Sequence, residues 1–257
     1  MTFQNITRLR KALSVVALGA AALFSDAASA TTYNLTSEWS TSSNPNGPWT
    51  LRGDSTVLPT FFASHPLDGS SGVWAPNNVG GNFLPGFFKA VDSLGAPFDW
   101  SIGDVVTHTP DKANGTTFIN SNVLFTAPSA GTANISGSVW NARVSTPFRP
   151  QAWQLFVNDV LQTSGSLPGD GSNGSGSPDE FSLLNVALLA GDTVMLAMYR
   201  TDTTGDSTGD YVGLDLTVEL NASAVPLPAA LPLFAAGLGV LGFFGSRRKR
   251  KTAAEMK

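Results

Sequence analysis

The stretch YVGLDLTVEL, residues 211–220, decides the fold. Val212, Leu214, Leu216, Val218 and Leu220 alternate without a break with Tyr211, Gly213, Asp215, Thr217 and Glu219. Successive side chains of an extended strand point to opposite faces, so this period of two predicts a strand with one buried and one wet face. Wound as a helix, the same segment would spread its five apolar residues around every side and bury none of them together.

The neighbouring segments read the same way. GTANISGSVW, residues 131–140, sets Ala133, Ile135, Gly137 and Val139 against Thr132, Asn134, Ser136 and Ser138. QAWQLFVNDVLQTSG, residues 151–165, reads as a hairpin turning at Asn158 and Asp159, residue types that tolerate the left-handed backbone of a two-residue turn. TVMLAMYR, residues 193–200, is apolar on both faces and predicts a central strand. Further candidate strands are NLTSEW (34–39), STVLPTFF (55–62), GFFKAV (86–91), DVVTHT (104–109) and SNVLFTAP (121–128). Two Gly-rich polar stretches, 164–180 and 201–210, read as surface hairpin tips. Many short strands, frequent turn signals and no long helical periodicity predict an all-β, jelly-roll-like two-sheet sandwich.

Charge is unevenly spread. The 257 residues carry a formal net charge of −4, but residues 31–224 hold six Lys or Arg against seventeen Asp or Glu, a net of −11. An acidic body repels phosphate backbones, which argues against a nucleic-acid partner. There is no cysteine, which excludes disulfides, thiolate metal sites and a Cys nucleophile.

The two ends have their own character. MTFQNITRLRK carries Arg8, Arg10 and Lys11, a 13-residue apolar stretch follows, and Ala28 and Ala30 then stand in an A-x-A arrangement. These are the three regions of a signal peptide, residues 1–30, implying the secretion translocon and signal peptidase as partners and cleavage after Ala30. As a helix the apolar stretch spans about 20 Å, short of the roughly 30 Å hydrocarbon core. At the other end, residues 229–245 form an uncharged run just long enough to span, followed by Arg247, Arg248, Lys249, Arg250 and Lys251. Basic residues stay on the cytoplasmic side, which puts the acidic body outside and makes 246–257 a cytoplasmic tail. The domain order is therefore signal peptide, body (31–221), linker (222–228), transmembrane helix and basic tail.

The linker holds Val225, Pro226, Leu227 and Pro228. Val-Pro-Leu-Pro, a short apolar helix with Gly237, Gly239 and Gly242, and terminal cations together resemble the PEP-CTERM sorting tail, with Leu227 where the family signature has Glu. The resemblance implies an exosortase-type transpeptidase that removes the tail near Val225 to Pro228, and export by a Gram-negative bacterium that makes exopolysaccharide. Two prolines keep the segment extended, a form a protease cleft accepts. The body adds a second resemblance. TSSNPNGPWT (41–50), VVTHTP (105–110), FTAPSAGTANISGSVW (125–140), LFVNDVL (155–161) and GDYVGLDLTV (209–218) are similar to segments of an extracellular β-sandwich that recurs ahead of such tails. That likeness implies a fold and no reaction; where its members often read His-Pro-Gly, this chain has His108-Thr109-Pro110.

Chemistry has little to draw on. The histidines are His65 and His108, and no G-x-S-x-G turn accompanies them in a triad order. No catalytic residue and no cofactor is assigned, and His108 reads as a histidine satisfied by a backbone carbonyl. Asp202, Asp206 and Asp210, or Asp170, Asp179 and Glu180, offer oxygen ligands for Ca²⁺, but their spacing matches no EF-hand. Sugar binding would stack a ring on exposed indoles, and Trp49 and Trp74, in Pro/Gly/Asn-rich stretches, are the candidates for that platform, their other reading being loop anchors packed on the core. Three functions stay open: a non-enzymatic cell-surface or matrix protein associated with exopolysaccharide, a carbohydrate- or Ca²⁺-binding sandwich module, and a secreted hydrolase.

Overall fold

In a computed structural model, residues 30–63, 72–76, 84–111, 118–144, 149–168, 170, 172–201 and 208–222 are described, all within the unit Ser29–Ser223. The strands are β1 (Ala30–Asn34), β2 (Trp49–Gly53), β3 (Thr56–Val57), β4 (Thr60–Phe62) and β5 (Val73–Ala75). Next come β6 (Gly86–Lys89), β7 (Val105–His108), β8 (Ser121–Thr126), β9 (Gly131–Asn141) and β10 (Gln151–Val157). The last are β11 (Val160–Leu167), β12 (Asp179–Leu188), β13 (Thr193–Arg200) and β14 (Tyr211–Ala222).

One sheet runs β12-β9-β14-β7-β6-β5-β4, with β1 also on β14, and the other runs β11-β10-β13-β8-β2-β3. Every pairing is antiparallel. This is the two-sheet sandwich that the alternations predict. β14 is its axis: β9 pairs with it from Val212 to Ala222, while its other edge is shared by β7 at Tyr211–Leu214 and by β1 at Thr217–Asn221. Val212, Leu214, Leu216, Val218 and Leu220 are all buried between the sheets with Val123, Phe125, Leu155 and Leu196 of the opposite one.

The wet face of β14 is wet only over half its length. Glu219 is exposed and Asp215 and Thr217 are half-buried, but Tyr211 is buried. There the β6–β7 connection carries Phe98 and Trp100 over the outer face, where they meet Tyr211 at ring-centroid distances of 5.3 and 5.4 Å. A second apolar cluster results, including Phe88, Val106 and Trp140. Gly213 lies beneath the Trp140 ring, and a Cβ placed on it would stand 2.0 Å from that indole.

The hairpin at residues 158 and 159 forms as expected. Asn158 and Asp159 have φ of 49° and 61°, the doubly left-handed turn whose twist matches the flanking strands, and β13 is central between β10 and β8. Other expectations need correction. NLTSEW is not a strand, because pairing ends at Asn34 and the side-chain oxygen of Asn34 caps the turn by accepting from the Ser37 N–H at 2.8 Å. STVLPTFF is broken at Pro59, which has no N–H for a ladder, and its halves β3 and β4 join different sheets. The stretch 164–180 is not all loop, since Ser164 to Leu167 belong to β11 and Asp179 and Glu180 open β12.

Four strands went unread. β1, β2 and β5 are short, and β12 hides its alternation behind a bulge between Leu183 and Val186. Asn185 takes φ 58° there and Leu184 is turned outward, 69% exposed.

The flank between β2 and β5 is closed by residues 35–48. The Asn44 carboxamide behaves as a piece of strand: it donates to the carbonyls of Leu51 and Leu58, both at 2.9 Å, and accepts from the Leu51 N–H at 2.8 Å. Trp74 donates from Nε1 to the Ser40 carbonyl at 2.8 Å and Lys89 from Nζ to that of Thr36 at 2.8 Å, tying the segment to the other sheet. The packing over Gly213 yields a test. Gly213→Ala should lower stability by about 1–3 kcal/mol through overpacking, read as a shift of the urea midpoint with unchanged slope.

Candidate functional site

Two regions gather polar side chains. The first is the flank pocket. Trp49 and Trp74 are brought together there with Trp39, Glu38, Ser43 and Asn46. As a sugar platform they fail: Trp49 is 3% and Trp74 5% exposed. Trp49 packs on Phe125 at 5.1 Å and Trp74 on Phe61 at 5.4 Å between ring centroids. Their N–H groups are spent inward, that of Trp49 on a Glu38 carboxylate oxygen at 2.6 Å and that of Trp74 on the Ser40 carbonyl. The cavity among them has a volume of about 20 Å³, room for a water molecule and not for a pyranose ring. The reason is compositional: an indole in a Pro/Gly/Asn-rich segment is the apolar pin that fixes such a segment to the core.

The second region lies at the end of the sandwich where β14 begins and β7 and β9 finish. Thr109 and Gln151 are fully buried there, and His108, Asp111, Asn141 and Asp210 nearly so. Thr109 and Asp210 bond reciprocally: the Thr109 N–H donates to the Asp210 carbonyl at 3.0 Å, and the Asp210 N–H to Thr109 Oγ1 at 3.0 Å. Thr109 Oγ1 in turn donates to Gln151 Oε1 at 2.7 Å, which joins the two sheets. Arg149 donates from a guanidinium nitrogen to the Gly209 carbonyl at 2.7 Å, the Gly209 N–H donates to an Asp111 carboxylate oxygen, and Arg143 lies 4.0 Å from Asp210 Oδ1.

His108 is satisfied by a backbone carbonyl, as its sequence context suggests. Its Nδ1 is 2.8 Å from the Thr109 carbonyl, which only accepts, so Nδ1 carries the proton. Burial holds its pKa below the ordinary value, against the pull of the Asp111 charge. Asp210 is shifted upward, from 3.8 to about 6, chiefly because burial disfavours its charge; the Tyr211 N–H and Arg143 offset part of that. The arrangement is a polar seal over the end of the core, with neutral imidazole, cationic guanidinium groups and a carboxyl that changes charge in the mildly acidic range.

The remaining candidates are scattered. Asp210 is buried rather than part of a surface tip, while Asp202 and Asp206 lie outside the described residues, as do His65, Ala28, Val225, Pro226, Leu227, Pro228 and the Arg247 to Lys251 block. Asp179 is committed to Trp153, accepting from Nε1 at 2.8 Å, and exposed Asp170 is held below its usual pKa by the side-chain and backbone donors of Ser172. Among the described residues no three His, Asp or Glu side chains are grouped to hold a metal ion. Ala30 is the first residue of β1, opposite Asn221. Sequence reasoning missed Thr109, Arg143, Arg149 and Gln151; no local pattern marks them, because strands far apart in the chain bring them together.

No family model matches the chain, and no curated protein matches it either. Solved structures similar to it include a CBM51 from Clostridium perfringens GH95 in complex with methyl-galactose, at 11% identity and a TM-score of 0.32, over 74% of this chain and 99% of that one. A CBM35 from Cellvibrio japonicus Abf62 is similar at 15% identity and a TM-score of 0.28, over 52% and 84%. CBM51-2 with INT domains from Clostridium perfringens ZmpB, in complex with GlcNAc, is similar at 12% identity and a TM-score of 0.32. There the match covers 46% of this chain and spans only 22% of the other. The sandwich itself rests on the strand pairings above.

Asp210 generates a pH prediction. A carboxyl that keeps its proton to a higher pH in the folded state stabilises the fold as pH falls below about 6, and weakens it once ionised. Asp210→Asn should therefore raise stability at about pH 8 by roughly 1–2 kcal/mol, the gain vanishing below about pH 4. Thermal melts of both proteins across that range check it, and a difference independent of pH would contradict it.

Proposed function

We propose that this chain is an exported, non-enzymatic β-sandwich of the bacterial cell surface or extracellular matrix, sorted by its C-terminal tail and held among exopolysaccharide. The observation that carries the reading is the order of residues 225–251: paired prolines, a short uncharged run and five cations in succession. Signal peptidase and an exosortase-type enzyme are the partners that this order implies. The pairing of β1 with the last residues of β14 supports it, because the two ends of the body emerge side by side and cleavage after Ala30 leaves the pairs from Thr31–Leu220 to Asn34–Thr217 in place. A body held without disulfides suits a protein that has no cysteine and works outside the cell.

A second reading, a sugar-binding module, is favoured by Trp39, half-buried at the pocket that also holds Glu38 and Ser43. Trp39 is the indole there that keeps part of its surface in water, while its two neighbours are sealed in.

Intact mass of the mature surface protein tests the first reading. Residues 1–30 and the segment after Val225 to Pro228 should both be missing, and Arg247 to Lys251 retained in the finished protein would contradict it. Titration of the body with a panel of soluble polysaccharides tests the second. Saturable binding that Trp39→Ala removes while the melting temperature holds would favour the module, and no binding would favour a matrix role.

A further inference from the structure

We propose that Thr109 and Gln151 form an intramolecular ester, a covalent cross-link that the folded protein makes between its own two sheets. Both side chains are 0% exposed, and the hydroxyl oxygen of Thr109 lies 2.7 Å from the carboxamide oxygen of Gln151. The amide is held the right way round, since Gln151 Nε2 faces the Arg149 carbonyl at 3.4 Å and the carbonyl end is left to the hydroxyl. Thr109 Oγ1 is fixed in turn by the Asp210 N–H at 3.0 Å and lies 3.3 Å from the Asp210 carbonyl. A nucleophile and an acyl group locked together gain the large effective concentration of an intramolecular reaction. Burial keeps out the water that would otherwise compete for the acyl carbon or hydrolyse the product.

The step balances without an oxidant or a second reactant. A lone pair of Thr109 Oγ1 forms a bond to Gln151 Cδ. The Cδ–Nε2 bond breaks with its electron pair on nitrogen, the proton lost by the hydroxyl passes to that nitrogen, and ammonia leaves. The Thr109 hydroxyl already donates to the amide oxygen, so its proton can leave Oγ1 along that hydrogen bond and pass by way of Oε1 to the departing nitrogen. His108, whose ring packs edge-on against Tyr211 at 4.7 Å, and Asp111, whose carboxylate accepts from the Gly209 N–H, belong to the same buried seal. Arg143 and Arg149 bring positive charge to the same end of the sandwich, where negative charge develops on the amide oxygen.

Position gives the bond a purpose. Thr109 follows β7 of one sheet and Gln151 opens β10 of the other, 42 residues apart in sequence. In a chain without cysteine, an ester there does what a disulfide does elsewhere: it limits the unfolded chain and pins the sheets at one end. This inference is independent of the sorting tail and of any sugar ligand.

Mass spectrometry of the full chain, produced and purified from an exporting host and denatured before measurement, tests it. The protein should be lighter by one ammonia molecule than the stretch of sequence it retains after processing, and digestion should release a branched peptide joining the Thr109 segment to the Gln151 segment, cleaved by alkaline hydroxylamine. Thr109→Val and Gln151→Ala should each restore the full mass, and Thr109→Ser should keep the loss. Full mass in the unsubstituted protein, with Thr109 and Gln151 in separate linear peptides, would overturn the proposal. So would an ammonia loss that survives in Thr109→Val, which would trace to a succinimide at one of the Asn-Gly pairs, Asn46-Gly47, Asn114-Gly115 or Asn173-Gly174. Digestion of the unsubstituted protein decides the matter even where a variant fails to fold.

Discussion

Most of this structure depends on β14 and on the fact that its apolar residues can face only one way. Five of them are sealed between the sheets, so the register of β14 is set by burial; a slip of one residue would place Asp215, Thr217 and Glu219 in the core. Because β9, β7 and β1 all pair with it, that register passes to three further strands. Gly137 of β9 sits opposite Leu216 where the approach is tight, and a Cβ on it would reach the Asp215 carbonyl at 2.1 Å. The other sheet then has to supply a matching apolar surface, and β8, β10 and β13 do so.

The second constraint is the cost of burying polar atoms. Four indoles spend their N–H on fixed partners: Trp49 on Glu38, Trp153 on Asp179, Trp74 on the Ser40 carbonyl and Trp140 on the Asp99 carbonyl at 3.0 Å. Each pairing ties a connecting segment or an edge strand to the core, and each removes an aromatic face from the surface. Large rings in loops are thus read more safely as anchors than as platforms when the loop itself lacks apolar residues to hold it down.

What the sequence revealed follows from how local each cause is. The hairpin at Asn158 and Asp159 and the alternations of β9 and β14 are decided within a dozen residues, and all are readable. β12 was hidden because a single left-handed residue, Asn185, shifts its pattern midway, so that Phe181 and Leu188 are buried while Leu184 is not. The dry outer face around Tyr211 was unreadable for another reason: Phe98 and Trp100 arrive from a connection more than a hundred residues away in sequence. The polar seal is the extreme case. Thr109, Gln151 and Asp210 belong to three separate segments, and none is unusual in its own surroundings.

The pairing of β1 with β14 also sets an order of events. The first strand of the body has its hydrogen-bonding partner in the last, so residues 30–34 cannot complete their ladder until residue 221 is available. A chain passed through a narrow channel from its N-terminus would therefore keep β1 without its ladder while it moves, and would close that seam only once the end of the body had emerged. Such non-local closure slows folding. In a chain threaded before it folds, that slowness would act as a latch that shuts only on the far side.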